Sequence, residues 1–420
     1  MDSLTQIVLG STVAALATPP RHRRAAIIAG AALGTLPDLD VVGLKLLLNG
    51  SDPITEVTWH RGPSHSLFLL PVVGWLIWLL ARRFSPMVRE APRAWLWAIW
   101  LALITHPILD AFTVYGTQLW WPLPTPPAMW ASVFVIDPLY TLPLLLGVVA
   151  AWILSPGNRV RNSGQMARDV PREPTIGKET HDGLKASKRE QRSDAHAHVT
   201  PSRGKSTPGH QPVQAPRSSG RHNLTASGAW LMMGMMLSCG YLAWSMAAKT
   251  WVDRTADQAL ARLGLQEARR FSVPMPFNTL LWRVVAMAPD GYWIGDRSLL
   301  VDQGPMNFRF YPSDTGALQQ VASDAQVQRL LWFTHGFVGM QSAIDEAGKA
   351  RLILTDLRMG LEPDYFFRYD IAGQDADGHW VADPQVKRLD TLMTSQGATL
   401  SWIWRRIFDS DAAMGGEAGR

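Results

Sequence analysis

The chain has 420 residues, 47% of them hydrophobic and only 18% charged, with 19 tryptophans and a formal net charge of +5. Its apolar residues gather in blocks in the first half, which points to a membrane protein with a separate soluble part. The single cysteine, Cys239, lies inside an apolar run, so a disulfide framework is excluded.

In chain order, the opening MDSLTQIVLGSTVAALA carries Asp2 where a secretory signal would carry lysine or arginine, and reads as a retained element. Residues 4–17 and 25–36 are short and rich in small residues (Gly10, Ala14, Ala15, Gly30, Gly34), which suits two closely packed helices of a bundle. Residues 66–81, 94–112, 131–154 and 228–248 approach or meet the about 20 apolar residues of a spanning helix. The expectation is an α-helical polytopic membrane domain of about six elements.

Arginines mark every second connection: Arg21, Arg23 and Arg24, then Arg82, Arg83, Arg89 and Arg93, then Arg159 and Arg161. Basic connections are cytoplasmic by the positive-inside rule. Asp2, the 37–65 and 113–130 loops and everything after residue 249 are therefore expected on the far side of the bacterial inner membrane.

Residues 155–227 are rich in Pro, Gly, Ser, Arg and Lys and read as a disordered cytoplasmic linker. The tract lacks interleaved aromatics and any periodic face, so no nucleic-acid partner is expected. After a transmembrane helix at 228–248, residues 249–420 alternate short runs such as LLWRVVAMA and ARLILTDLRMG with amphipathic segments such as RTADQALARLGLQEARR and AQVQRLLWFTHG. That pattern predicts an extracytoplasmic α+β soluble domain. Its His335 and His379 stand isolated in the sequence.

Ionisable residues collect in or beside the membrane elements on the expected extracytoplasmic side: Asp2, Asp38 and Asp40 in GTLPDLD, His60 and His65 in HRGPSHS, His106 and Asp110 in THPILD, and Asp137 in VIDPLY. Asp38 and Asp40 could simply end a helix, His60 and Arg61 anchor an interface, and Asp137 start a helix at Pro138. His106 and Asp110 are harder to dismiss. They lie within an apolar span at i, i+4 on one face, where charged types cost about 2.5–3.5 kcal/mol each.

Pro63 suits the first position of the helix running through SLFLLPVVGW, which would put His65 in its first turn, where the helix dipole keeps the ring neutral. Converging imidazoles and carboxylates suit Zn²⁺, ahead of Mn²⁺ or Fe²⁺. Such an ion lowers the pKa of water. A carboxylate outside the ligand set, Asp40 or Asp110, could then accept a proton, and Arg61 could hold an anionic substrate oxygen.

The ordered motifs MDSLTQIVLG, GTLPDLD, HRGPSHSL, THPILDAFTVYGTQLWWP and IDPLYTLPLL resemble the bacterial inner-membrane metal-dependent hydrolases over residues 1–154; PFNTLLWRVVA with TDLRMG resembles the C-terminal region of longer members. That family is similar in turn to zinc-dependent phospholipase C and P1-type nucleases. The resemblance implies metal-ligand roles for His65, His106 and Asp110, then Asp38, Asp40 and His60, and also Asp2. Some members carry histidine where this chain has Gln6.

The function expected is metal-dependent hydrolysis of a lipid or envelope phosphoester at the membrane surface. Transport or proton relay through His106 and Asp110, and a noncatalytic envelope scaffold with a structural metal, are the alternatives.

Overall fold

A computed structural model describes residues 1–47, 52–155, 225–362, 364–389 and 396–412. The expected linker lies outside the described residues, except Ser155 and Thr225 to Ser227 at its ends.

The helices of the first half are α1 (Ser3–Ala17), α2 (Arg23–Thr35), α3 (Asp40–Leu47), α4 (Pro53–Trp59), α5 (Leu69–Phe84), α6 (Pro86–Glu90), α7 (Pro92–Ala111) and α8 (Pro138–Leu154). Helix α9 (Ala226–Arg262) leads into the second half. Helices thus stand at all six expected places, but six crossings are not supported. Among the described residues only α7 and α9 are long and apolar enough to span, with up to four spans if two bent pairs, Pro20–Thr35 with Pro37–Gly43 and Pro53–His65 with Leu69–Phe84, each count as one. The reason is length: α1 has 15 residues and α8 17, a rise of about 22–26 Å against a hydrocarbon core of about 30 Å.

The small residues do what small residues allow. A Cβ on Gly10 would collide with the Gly30 carbonyl, one on Gly30 with the Gly10 carbonyl, and one on Gly34 with the Gln6 carbonyl. Helices α1 and α2 therefore touch backbone to backbone, as in other small-residue helix contacts. Helix α7 packs against both. Long apolar side chains on the outer surfaces of α5 and α8, among them Trp75, Leu76, Leu80, Leu142, Leu146 and Ile153, are exposed, as expected of surfaces that face lipid.

The bundle has two unlike ends. At one, Arg21 and His22 pair with Glu90, Arg23 reaches Thr225 and Ser227, and Arg24 donates to the Trp152 carbonyl. At the other lie Asp2, Asp38, His65, Asp110 and Asp137.

The second half is β-rich. Strands β1 (Arg270–Pro274), β2 (Leu281–Ala288), β3 (Gly291–Ser298) and β4 (Arg309–Pro312) form an antiparallel sheet in sequence order. Helices α10 (Thr315–Val321) and α11 (Ala325–Phe333) follow. Strands β5 (Val338–Ile344), β6 (Ala350–Asp356), β9 (Arg368–Gln374) and β10 (Trp380–Leu389) form a second antiparallel sheet of order β10-β9-β6-β5, beside the small pair β7 (Gly360–Leu361) and β8 (Asp364–Tyr365). Helix α12 (Gln396–Phe408) closes the described chain.

The strands expected at LLWRVVAMA and ARLILTDLRMG are β2 and β6. The segment RTADQALARLGLQEARR is not a separate helix: its first part completes α9, which extends the predicted 228–248 helix to Arg262 without a break. One buried stripe of α9, Leu231, Gly234 and Ser238 and then Ser245, Ala248, Val252 and Ala256, continues along its length. The lower part meets α8, where a Cβ on Gly234 would strike the Pro143 carbonyl, and the upper part packs with Trp282 and Val284 of β2.

The β-rich domain also sits on the acidic, histidine-bearing end of the bundle. Ile54 of α4 joins the core formed by α10, α11 and the second sheet, while Val114 and Ala131 join that of the first sheet. Arg329 Nε donates to Thr58 Oγ1 at 3.0 Å.

Candidate metal centre

Four of the predicted residues converge. His65, His106, Asp38 and Asp110 each place a ligand atom within 4.8 Å of the other three. The two Nε2 atoms are 3.1 Å apart. Asp38 Oδ1 is 3.4 Å from each of them, and Asp110 Oδ2 lies 3.3 Å from His65 Nε2 and 3.6 Å from His106 Nε2. Zn–N and Zn–O bonds of 2.0–2.1 Å set the edge of a coordination tetrahedron at about 3.3–3.4 Å. Five edges of this cluster lie at 3.1–3.6 Å, and the sixth, between Asp38 and Asp110, is within 4.8 Å.

Hydrogen bonds at the far side of each ring decide which nitrogen faces inward. His106 Nδ1 donates to the Gly34 carbonyl at 2.6 Å. The Ser64 hydroxyl donates to Asp40 Oδ2 at 2.6 Å, so its oxygen is left to accept from His65 Nδ1 at 2.9 Å. In the neutral form of each ring the proton sits at Nδ1 and Nε2 carries the lone pair. Two imidazole lone pairs and two carboxylate oxygens then face one another. That is the donor set a divalent cation takes, although Arg61 and the Met1 amino group already offset part of the charge on Asp110. Asp110 Oδ2 is buried and makes no aligned hydrogen bond, its nearest cation being Arg61 Nε at 3.2 Å. The donor set fits a divalent ion, and a backbone carbonyl and a serine behind the rings are the kind of outer partners that orient metal-bound histidines.

His65 reaches the site differently from the expectation. Pro63 starts a short 3-10 turn, Pro63–His65, which ends at Ser66, and α5 begins only at Leu69. The orientation of the ring is therefore set by Ser64 and Asp40 rather than by the α5 helix start. Arg61 makes the preceding bend in the left-handed region, at φ 61°. Its guanidinium is buried, with Nε 3.2 Å from Asp110 Oδ2 and Nη1 donating to Thr113 Oγ1 at 3.3 Å. The arginine expected to hold a substrate oxygen thus lies against Asp110 of the cluster.

Asp40 stands one layer out. It accepts from His60 Nδ1 at 3.0 Å, from the Arg61 backbone N–H at 3.1 Å and from Ser64. His60 lies outside the ligand cluster, held by Asp40 on the more open side, where its side chain is 21% exposed. Asp2 is also outside: it caps α1 by accepting from Thr5. Asp137 caps α8 and accepts from Tyr241 at 2.8 Å. Gln6 is no ligand through oxygen; its Nε2 donates to Asp110 Oδ1 at 2.9 Å, beside the Met1 amino group.

A family model described as YdjM inner membrane protein matches residues 1–167. The matched region contains the whole cluster and supports a bacterial inner-membrane protein. The chain is also 32% identical over 125 residues to the uncharacterized protein YfhP of Bacillus subtilis (strain 168), a match covering 28% of this chain and 36% of that relative. The chain thus spans about a third of the length of the curated relative it matches. No solved structure matches the chain. Neither description names an activity, so these comparisons lend no support to hydrolysis or to a likeness to zinc-dependent phospholipase C and P1-type nucleases.

Three contributors escaped the sequence reading. Ser64 was visible within HRGPSHS, but its relay required the fold. The Gly34 carbonyl carries no side-chain signal at all. Tyr115 gave none either, yet it stacks under Arg61 at 4.8 Å, meets His60 edge-on at 5.7 Å, and touches Phe333 and Phe367 of the β-rich domain. Burial pushes its hydroxyl up to about 12, so it stays a neutral donor, bonding the Val57 carbonyl at 3.1 Å.

Proposed function

We propose that this protein is a membrane-bound, metal-dependent hydrolase that cleaves a phosphoester of a lipid or envelope substrate. The observation that carries the reading is the convergence of two imidazole nitrogens and two carboxylate oxygens, each within 4.8 Å of the other three. His65, His106, Asp38 and Asp110 would hold the ion, with Zn²⁺ preferred and Mn²⁺ or Fe²⁺ as substitutes. When bound, such an ion acidifies water and makes hydroxide available near neutral pH.

The chain's own groups divide the remaining work. His60, with Nδ1 directed at Asp40, presents the Nε2 lone pair that accepts the proton of the attacking water and returns it to the leaving oxygen. Asp40 fixes that tautomer and, through Ser64, the orientation of His65. Arg61 offsets the buried charge of Asp110 and holds its carboxylate in place, a positioning role in place of the anion-holding one.

Arginines at the opposite end, Arg21, Arg23, Arg24, Arg82, Arg83 and Arg89, support a cytoplasmic assignment for that end. The site and the β-rich domain would then be extracytoplasmic.

Protein purified in detergent should carry stoichiometric zinc or manganese and turn over a phosphodiester or phospholipid. His60→Gln should keep the metal and lose about 10²–10⁴-fold in turnover. A metal-loaded wild type inert across a phosphoester panel, or a His60→Gln variant as fast as wild type, would end this reading.

A further inference from the structure

A cavity of about 270 Å³ lies where the segment between α7 and α8 meets the β-rich domain. Its wall is almost wholly apolar, built from Val114, Phe134 and Ile136 on one side and Val273, Phe277 and Met359 on the other. Arg283 is the exception that matters. It is 5% exposed and spends Nε and Nη2 on Asp296 at 2.8 and 2.9 Å. Its Nη1 is buried and finds no hydrogen-bond partner, and the residue itself lines the cavity. A buried donor left unmade costs about 1–3 kcal/mol, a cost that a ligand oxygen would remove.

The arginines at this wall are already answered, Arg283 by Asp296 and Arg358 by Asp356, and Asp364 adds a carboxylate of its own. What is lacking is one acceptor, not a negative charge, and an uncharged carbonyl supplies it. Phe277 supports a built site: it holds φ 65°, a strained position for a bulky residue, with its ring against Phe134 at 5.9 Å.

The surroundings point to the source of the occupant. The rim residue Ile136 is exposed, and the row continues down α8 through exposed Leu139, Leu142 and Leu146. Above the cavity, α12 leaves Leu400, Trp404 and Phe408 exposed at i, i+4 and i+8 while burying Trp402, Ile403 and Ile407. That is the face of a helix lying on a bilayer surface.

We propose that the cavity binds an acyl chain of a membrane lipid, with the ester carbonyl oxygen accepting from Arg283 Nη1. The occupied seam joins the β-rich domain to the bundle. The site is separate from the metal cluster and does not depend on the hydrolase reading.

The test uses the full chain in nanodiscs containing phosphatidylethanolamine with a diazirine in mid-chain, and in a parallel arm a free fatty acid bearing the same group. Peptides containing residues 273–277 and 359–366 should label from the phospholipid. Val273→Trp and Met359→Trp, which fill the cavity, should cut that labelling about tenfold while labelling of α8 residues 139–153 stays unchanged and the chain remains monodisperse. Labelling of the two peptides that is indifferent to both substitutions overturns the site, and labelling by the fatty acid alone overturns the ester assignment. Should one variant fail to stay monodisperse, competition of wild-type labelling by unlabelled phospholipid gives the same decision.

Discussion

Each end of the bundle holds a histidine against a carboxylate, and the two pairs have different chemistry. At the basic end Trp95 Nε1 donates to His22 Nδ1 at 3.2 Å, which leaves His22 Nε2 to donate to Glu90 at 2.9 Å. Both ring nitrogens are satisfied, and Glu90 is half-exposed to solvent. At the other end both rings direct Nδ1 outward, to Gly34 and Ser64, and turn Nε2 toward two carboxylates. A histidine beside an acid is therefore no sign of a metal by itself. The direction of the proton is what separates a structural link from a ligand.

That contrast can be broken experimentally. The largest effect is expected from His65→Ala or His106→Ala, which should abolish stoichiometric metal in elemental analysis of purified protein, whereas His22→Ala should retain it in full; equal retention in all three would erase the distinction. A smaller effect is expected one layer out. Ser64→Ala removes the acceptor behind His65 and should weaken metal binding about 10–100-fold in competition with a chelator, the usual cost of losing such a partner. The smallest effect belongs to the basic end. Glu90→Gln should change stability by about 0–1 kcal/mol in thermal or denaturant unfolding, since the pair is partly solvated, and should leave metal content as it was.

Much of this cluster was legible in the sequence because its candidate ligands interrupt apolar runs. His106 and Asp110 stand out inside α7, and the i, i+4 spacing that puts them on one face survives folding unchanged. Asp38 and His65 were found because polar residues at the ends of apolar segments are few. What could not be read was the layering. Asp38 and Asp40 are two residues apart in GTLPDLD, yet one faces the imidazoles and the other holds Ser64, a difference set by the 3-10 turn Pro37–Leu39 that follows α2. His60 and His65 likewise belong to one motif but to different layers, because the bend at Arg61 separates them. The number of crossings was overread for a related reason: hydropathy marks where helices are, while their capped lengths decide what they can traverse. In the second half, alternation located β2 and β6, but it could not tell that the helix before them was continuous with the one in the membrane.

That continuity has a mechanical consequence. Each residue of a helix turns it by about 100°, so the stripe that runs from Gly234 to Ala256 on α9 fixes the angular phase between two unrelated packings, one against α8 and one against β2. A single residue inserted between them would twist one contact out of register with the other. Along this helix, then, spacing is as much a part of the architecture as residue identity, and the β-rich domain is indexed to the bundle like a key cut to one angle.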